Sequence, residues 1–227
     1  MATNREIERL QIVYHGYRQS QAVQARWSEA NPGNQAILQE RTEALKQLLQ
    51  GYHLPLSQCR VLDVGCGSGR VLARLAQWGA NPEFLCGVDL LSDRVHLAAQ
   101  HSSQIHFQQG NAEQLPFGDA SFDLVLLFTV LSSILSEQMA CHVAGQVERV
   151  LKPGGAVTWY DFRYNNPRNP RVQGMNKKRV QILFPQFELR LRTITLMPPL
   201  ARRLGRLTLI IYPMLSKFVF LQSHYLG

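Results

Sequence analysis

The sequence predicts an α/β fold built around a doubly wound, mostly parallel β-sheet. Three observations support this prediction: four strand–helix units follow one another, the strands are apolar enough to be buried on both faces, and a glycine-rich turn follows the first strand. Ligands bind to such sheets outside the carboxyl ends of the strands. The residues that end the strands are therefore the first candidates for a functional site.

Hydrophobic patterning predicts five strands and three helices between them for this alternation. The predicted strands are Arg60–Val64, Phe84–Leu90, Ile105–Gln108, Phe122–Phe128 and Ala156–Phe162. The predicted helices are Gly69–Gly79, Ser92–Gln100 and Ser136–Val150. Ser92 is the expected N-cap of the second helix, because its hydroxyl can accept a hydrogen bond from a backbone N–H of the first turn.

Two further regions flank this alternation. Residues 1–55 are predicted to form a helical N-terminal cap, with helices at Asn4–Gln19 and Gln35–Gln50. Residues 56–227 form the second predicted domain, which ends with a helix, a strand, a basic helical insertion and a final strand. These last elements are Val172–Phe184, Phe187–Leu196, about 198–216 and Phe218–Leu221.

The chain of 227 residues carries a formal net charge of +8 that is unevenly distributed. Residues 1–150 contain 11 Lys or Arg and 14 Asp or Glu, whereas residues 151–227 contain 13 and 2. The basic C-terminal third is either a solvated face or a surface for an anionic acceptor, a phosphorylated lipid or a membrane. No nucleic-acid-binding motif accompanies the charge, so nucleic acid is not expected as a partner.

Several classes of protein are disfavoured by what the sequence lacks. No signal pattern and no apolar run long enough to span a bilayer is visible, so a cytoplasmic location is expected. The four cysteines lack C-x-x-C spacing and the histidines lack the spacing of metal ligands. Neither a disulfide framework nor a metal site is therefore expected.

The glycine-rich turn is the strongest functional signal. Val61–Arg70 reads Val-Leu-Asp-Val-Gly-Cys-Gly-Ser-Gly-Arg, which is a strand, three glycines at alternate positions and the start of a helix. Such a turn lets the backbone approach a nucleotide-like ligand, and Asp89 at the end of the next strand can accept hydrogen bonds from both ribose hydroxyls. Arg70 stands where a dinucleotide-binding turn has glycine or alanine, which favours an adenosyl ligand without a pyrophosphate.

Five segments, in this order along residues 61–162, resemble the class I S-adenosylmethionine-dependent methyltransferases. They are Leu62–Gly69, Gly87–Asp89, Gly110–Phe117, Ser121–Val125 and Leu151–Gly155. The resemblance implies S-adenosylmethionine as cofactor and a seven-stranded, Rossmann-like sheet with an antiparallel pair of strands at the C-terminal end. A looser resemblance at Asn165–Pro170 and Ser223–Gly227 is to bacterial methyltransferases of surface-glycan and specialised-metabolite pathways.

The same resemblance implies roles for individual residues. The implied cofactor-binding residues are Asp63, Gly65, Gly67, Gly69, Asp89, Leu90, Asn111, Ala112 and Phe128. Asp63 would organise the glycine turn, Asp89 would hold the ribose, and Asn111 would flank the adenine together with Ala112. The family commonly has Asp where Asn111 stands, but an Asn carbonyl can also accept a hydrogen bond from the adenine amino group.

The implied activity is methyl transfer to a small-molecule, glycan or specialised-metabolite acceptor, at oxygen in preference to nitrogen. An anionic or lipid-linked acceptor, membrane-surface contact, and a non-catalytic adenosyl-binding subunit of a modifying complex are the alternatives. Candidate general bases at the mouth of the site are Asp161, Tyr160 and His15, and candidate acceptor-binding residues are Tyr14, Trp27 and Arg163. Each of these six also has a plainer interpretation as a packing or surface residue.

Overall fold

The computed structural model describes residues 2–52, 54–167 and 169–227. Within these ranges the strands are β1 (Val61–Val64), β2 (Leu85–Asp89), β3 (His106–Gln109), β4 (Phe122–Phe128), β5 (Leu151–Phe162), β6 (Arg192–Leu196) and β7 (Gln222–Leu226). They form one sheet in the order β3-β2-β1-β4-β5-β7-β6. Strands β1 to β5 pair in parallel, and β7 is antiparallel to both β5 and β6. The predicted fold class is confirmed, including the antiparallel C-terminal pair.

The α-helices lie around this sheet. They are α1 (Ala2–Gln19), α2 (Gln21–Trp27), α3 (Pro32–Gly51), α4 (Arg70–Gln77), α5 (Ser92–His101), α6 (Glu137–Val150), α7 (Lys177–Leu183), α8 (Pro198–Ala201) and α9 (Thr208–Leu215). Four of those described begin at a side-chain N-cap: α2, α3, α6 and α7. Asn31 caps α3 by accepting from the Gly33 N–H, and Ser136 caps α6 by accepting from the Met139 N–H.

Helices cover both faces of the sheet, and the side chains of β4 show how the core divides. Val125 and Leu127 pack with α1, α6 and α7 on one face, whereas Leu124 and Leu126 pack with α3 and α4 on the other. The two long helices predicted as one N-terminal cap therefore lie on opposite faces. The segment between them passes the start of α4, where Glu29 forms an ion pair with Arg70.

The predicted final strand Phe218–Leu221 is wrong. Residues 219–221 form a 3₁₀ turn, and the strand begins at Gln222. The local composition is misleading, because the apolar residues Phe218–Leu221 are not buried while the polar start of β7 is. Contacts with neighbouring strands offset the cost of burying the polar side chains of β7. Ser223 Oγ donates to the Thr195 carbonyl at 3.1 Å, and the His224 ring stacks on the Tyr160 ring with centroids 4.6 Å apart.

Other element boundaries also differ from the predictions. The strand predicted over Phe187–Leu196 is confined to β6, the helix predicted over Val172–Phe184 is confined to α7, and α2 was not predicted. Ser92 is not an N-cap, because Leu91 occupies that position without a side-chain hydrogen bond. The insertion at 198–216 is divided into α8, a 3₁₀ turn at Gly205–Leu207 and α9. Residues 1, 53 and 168, which fall in the predicted cap and the Asn165–Pro170 loop, lie outside the described residues.

No helix in the described ranges combines the length and the apolar character that crossing a bilayer requires.

Candidate active site

The glycine turn after β1 is held tightly between neighbouring strands. Gly65 has a left-handed φ of 73°, its N–H donates to the Val88 carbonyl at 2.7 Å, and a Cβ there would lie 2.6 Å from Val130 Cγ2. Gly69 has φ of 75° at the start of α4, where a Cβ would lie 2.6 Å from the Phe107 ring. Glycine is required at both positions because a side chain would clash and the backbone conformation is strained for other residues.

Asp89 ends β2 and connects the glycine turn to the next loop. Its Oδ2 accepts from the Gly67 N–H at 2.8 Å, and its Oδ1 accepts from the Leu91 N–H at 3.0 Å. The carboxylate is therefore oriented before any ligand is present. Each oxygen accepts one of these two hydrogen bonds and has a second lone pair, so both oxygens can accept from a ligand.

A cavity opens above the carboxyl ends of β1, β2 and β4, with an empty volume of about 690 Å³ that includes solvent at its mouth. One side is lined by the loops after β1, β2 and β3: Val64, Gly65, Val88, Asp89, Leu90, Leu91, Gly110, Asn111 and Ala112. The other side is lined by α1, α5, the end of β4, the segment after it and the first turn of α6: Leu10, Tyr14, Arg94, Phe128, Thr129, Val130, Ser133, Ile134 and Met139.

A hydroxyl pair lies in the second wall of the cavity. The Ser133 hydroxyl donates its proton to the Thr129 carbonyl at 2.9 Å, and Tyr14 Oη lies 2.9 Å from Ser133 Oγ. Because the Ser133 hydroxyl proton is donated to the Thr129 carbonyl, the Tyr14 hydroxyl is the donor in its hydrogen bond to Ser133. The lone pairs of Tyr14 Oη can then accept a hydrogen bond from a ligand. Burial raises the pKa of Tyr14, so its hydroxyl stays protonated at neutral pH.

Two further features mark this wall as specialised. The Arg94 guanidinium lies over the Tyr14 ring, 4.4 Å from its centroid, and places a positive charge beside the hydroxyl pair. Thr129 has a φ of 58°, which is rare for a β-branched residue. Such strained backbone is concentrated at ligand sites, where the surrounding structure holds it in place.

Asp63 lies in β1 beneath the glycine turn and does not line the cavity. Its side chain is buried, and its Oδ1 has no hydrogen-bond partner among the described residues. Burial and the nearby Asp89 carboxylate raise the pKa of Asp63 to about 8, although Arg41 acts in the opposite direction. Asp63 is therefore mostly protonated at neutral pH and belongs to the interior beneath the turn.

The structure brings most of the predicted cofactor-binding residues to one place. Those that line the cavity are Gly65, Asp89, Leu90, Asn111, Ala112 and Phe128. Gly67 and Gly69 belong to the turn that supports this wall rather than to the lining itself. Asn111 Oδ1 accepts from the Glu113 N–H at 3.0 Å, and its second lone pair can accept from a ligand.

The predicted bases Tyr160 and Asp161 lie in the sheet, and the cavity lining among the described residues does not include them. Tyr160 Oη is 3.0 Å from Thr195 Oγ1, and burial raises its pKa to about 12. Asp161 is completely buried and accepts from the Ser132 and Phe162 N–H groups at 2.9 Å. Both side chains already have structural partners, so the expectation that they act at the mouth of the site is corrected.

Three predicted residues lie on the surface around the site instead of in its lining. His15 is exposed, with its ring nitrogens near Arg18 Nη2 and Gln19 Nε2 of the same helix. The Trp27 ring packs under the Arg202 guanidinium, 4.5 Å from the ring centroid, and Arg163 lies over the ring of Tyr164. Of the predicted acceptor-binding residues, Tyr14 alone lines the cavity among the described residues.

The sequence reasoning missed several lining residues. Leu10 lies one helical turn before Tyr14, so the i, i+4 spacing could have identified it. Thr129 to Ser133 directly follow β4, and the rule that ligands bind at carboxyl ends of strands could have included them. No sequence signal identifies Arg94, because its position depends on how α5 packs beside α1.

Comparison with known proteins agrees with this geometry. The family model described as a methyltransferase domain matches residues 61–155. The chain is 33% identical over 157 residues to 27-O-demethylrifamycin SV methyltransferase from Amycolatopsis mediterranei, which covers 66% of this chain and 51% of that protein. It is 32% identical over 133 residues to a tRNA N(3)-cytidine methyltransferase from Gallus gallus, covering 54% and 36%. The chain thus spans about half or less of the length of these relatives.

Solved structures show the same fold. A SAM-dependent methyltransferase from Thermotoga maritima matches with a TM-score of 0.62 over 94% of this chain and 93% of that one, at 18% identity. The shared fold includes the region outside residues 61–155, so the helices and the C-terminal strands belong to the same architecture.

Proposed function

Since this chain belongs to the class I S-adenosylmethionine-dependent methyltransferases, we propose that it methylates an oxygen atom of a small-molecule, glycan or specialised-metabolite acceptor. The observation that carries this proposal is a single cavity with two chemically different walls. One wall presents the glycine turn and Asp89, and the other presents Tyr14 with a cation beside it. Such an arrangement suits an adenosyl ligand and an acceptor that meet at the end of β4.

The first wall fits the adenosyl ligand that the family requires. Asp89 has an acceptor lone pair on each oxygen for the ribose hydroxyls, and Asn111 and Ala112 lie on the same wall, where they would flank the adenine. When bound, S-adenosylmethionine supplies a methyl group already activated by its sulfonium charge.

The second wall fits an acceptor that carries a hydroxyl group. Tyr14 Oη can accept a hydrogen bond from that hydroxyl, while the hydrogen bond to Ser133 holds Tyr14 in place. The apolar residues Leu10, Ile134 and Met139 exclude water around the pair. The contribution of the protein is thus alignment and desolvation, which are the main requirements of a displacement at an activated methyl group.

The charge beside Tyr14 favours oxygen over nitrogen as the methylated atom. Arg94 would repel a protonated amine, whereas it is compatible with a neutral hydroxyl and attracts an anionic acceptor. The charged side chains in the described lining are Asp89 and Arg94, and Asp89 belongs to the first wall, together with the glycine turn. An amine acceptor would therefore find no carboxylate on its own side of the cavity.

The binding half of this proposal is tested by calorimetry with S-adenosylhomocysteine, the demethylated product of the cofactor. We expect Asp89→Asn to weaken binding by about tenfold or more, because hydrogen bonds to a charged group are lost. The matched control is Asp93→Asn, which changes an exposed carboxylate paired with Arg18 outside the cavity. Binding of NAD in place of S-adenosylhomocysteine would overturn the proposal.

The catalytic half is tested with methyl-labelled S-adenosylmethionine and a panel of acceptors. The panel contains phenols, sugar hydroxyls, fatty acids, amines and tRNA. Label transfer to a hydroxyl or carboxylate acceptor is the expected result. Transfer to amines or tRNA would contradict the proposal, and tight binding without transfer to any acceptor would favour a non-catalytic adenosyl-binding subunit.

A further inference from the structure

The segment between β6 and β7 exposes an unusual amount of apolar surface. Leu209 is 86% exposed and Phe220 is 72% exposed. We call this set of side chains the insertion surface, and its members are Leu207, Leu209, Ile210, Met214, Phe218, Val219 and Phe220. Scattered apolar residues are normal on a protein surface, but a cluster of large ones within 14 residues marks an interaction site.

Helix α9 shows that this exposure is a property of one face of the helix. Thr208 and Tyr212 point inward and are buried. At 100° per residue the opposite face carries Leu209, Ile210, Pro213 and Met214, and all four are exposed. The outward face of α9 therefore contains no polar side chain, which is the reverse of the pattern expected for a helix that faces water.

The insertion is fixed to the protein on its inner side. The Tyr212 hydroxyl donates to Glu40 Oε2 of α3 at 2.7 Å. A Cβ at Gly33 would lie 2.2 Å from the Ala201 carbonyl oxygen, so α3 and α8 are in direct backbone contact. The insertion surface is thus presented by a packed element and does not depend on a loose loop.

Exposed cations flank the insertion surface. Arg203 and Arg206 precede α9, and Lys217 follows it. Residues 189–227 contain no Asp or Glu, so these charges have no acidic neighbours along the segment. Apolar side chains bordered by unpaired cations are the pattern that binds the interface of an anionic bilayer.

The insertion lies at the same edge of the sheet as the cavity. Strand β6 is parallel to β5, because both are antiparallel to β7. The chain leaves β6 at Leu196 and so emerges at the carboxyl edge, where the cavity opens. The insertion therefore begins at the edge of the sheet on which the cavity lies.

We propose that the insertion surface docks on the anionic phospholipid face of a membrane. The apolar side chains of α9 and Phe218–Phe220 would enter the headgroup region, and Arg203, Arg206 and Lys217 would pair with lipid phosphates. A second copy of the chain is a poorer occupant, because an isologous contact would bring two identical basic rims together. The proposal does not require methyl transfer, so it can fail or succeed independently of the proposed function.

The test is co-sedimentation of the full chain with vesicles of phosphatidylcholine, with and without phosphatidylglycerol. We expect binding to the anionic vesicles that weakens as salt is raised. Leu209→Ser/Ile210→Ser should reduce binding by about tenfold or more, because apolar area no longer enters the interface. Arg203→Gln/Arg206→Gln should reduce binding by roughly 30-fold, since each cation near an anionic surface raises the affinity about fivefold.

The matched control is Ile182→Ser, which removes an equally exposed apolar side chain of α7 outside the insertion surface. This variant should bind as the unchanged chain does, and circular dichroism should show that all variants are folded. Absence of binding to anionic vesicles, or an equal loss in the control, would overturn the proposal. So would sedimentation equilibrium showing a dimer that Leu209→Ser/Ile210→Ser dissociates while vesicle binding is unaffected, because the surface would then be a contact between copies.

Discussion

At the scale of single residues, Tyr14 is the side chain in the cavity whose chemistry is most constrained. Its proton is directed to Ser133, and its oxygen faces the space beside Arg94. Because burial raises its pKa, Tyr14 stays protonated at neutral pH, and we propose that it positions the acceptor and does not act as a base. In the proposed reaction, the acceptor hydroxyl therefore loses its proton through its own acidity and not to Tyr14.

Tyr14→Phe is expected to lower kcat about three- to tenfold, the usual effect of losing one neutral hydrogen bond. The affinity for S-adenosylhomocysteine should stay within about twofold, because Tyr14 lies on the opposite wall from Asp89. Steady-state kinetics with the acceptor found in the panel, together with calorimetry, measure both effects. Tyr17→Phe is the matched control, since the Tyr17 ring contacts Tyr14 edge-on but does not line the cavity. An equal loss in both variants would argue against positioning by the Tyr14 hydroxyl.

Asp63 predicts a pH dependence of stability. Its pKa is raised from 3.8 to about 8 in the folded chain, so folding favours the protonated form. Its contribution to stability is complete below about pH 4 and is lost as the pH rises through about 8. Asp63→Asn should therefore have nearly the same melting temperature as the unchanged chain at acidic pH and a relatively higher one at pH 8–9. Thermal melts across this range, with Asp93→Asn as a control, measure the difference, and a difference that does not change with pH would contradict the prediction.

At the scale of elements, α1 is attached to the segment after β4 by polar contacts as well as by packing. Glu6 Oε1 accepts from the Leu135 N–H at 2.6 Å, and Arg9 Nη2 donates to the Ser133 carbonyl at 2.5 Å. Arg9 also forms an ion pair with Glu6 at 2.8 Å. These contacts place Leu10 and Tyr14 in the cavity wall, so the position of α1 determines the shape of the acceptor side.

Glu6→Ala is expected to loosen α1 and to lower kcat/KM by about tenfold. The substitution removes the buried carboxylate that accepts from the Leu135 N–H and pairs with Arg9. Hydrogen exchange should show reduced protection of the α1 amides in this variant. Glu8→Ala is the matched control, since Glu8 is an exposed carboxylate on the same helix. Unchanged exchange in α1 together with unchanged turnover would show that α1 does not depend on Glu6 for its position.

At the scale of the whole molecule, ligand binding should stabilise the fold because the cavity walls come from segments that are far apart in the sequence. Leu10 and Met139 contribute to one wall, whereas Gly65 and Asn111 contribute to the other. A ligand that contacts both walls binds the folded chain and not the unfolded one. S-adenosylhomocysteine at 100 times its Kd adds about 2.7 kcal/mol to the free energy of unfolding.

For a chain of this length that increment corresponds to a rise in Tm of roughly 5–10 °C. Differential scanning fluorimetry with S-adenosylhomocysteine measures it, and NAD at the same concentration is the control ligand. A rise in Tm with NAD and none with S-adenosylhomocysteine would contradict this expectation. It would also contradict the proposal that the cavity binds an adenosyl ligand of the methyltransferase type.

Local signals accounted for the first five strands and for the turn and loops of the first wall. Gly65, Asp89 and Asn111 each follow or end a parallel strand, and the carboxyl ends of such strands meet at one edge of the sheet. The acceptor wall was less predictable, because it depends on contacts between distant parts of the chain. Tyr14 and Ser133, for example, are 119 residues apart in sequence but share a hydrogen bond.

The α/β class, the succession of the first five strands along the chain and the position of the glycine turn were predictable from local patterns, because they follow from hydrophobic periodicity and glycine spacing. The tertiary structure alone decided that Tyr160 and Asp161 are buried with structural partners and that the final strand begins at the polar residue Gln222. The physical reason is that burial of a polar group depends on a partner that satisfies it. Such partners come from elements that only the folded chain brings together.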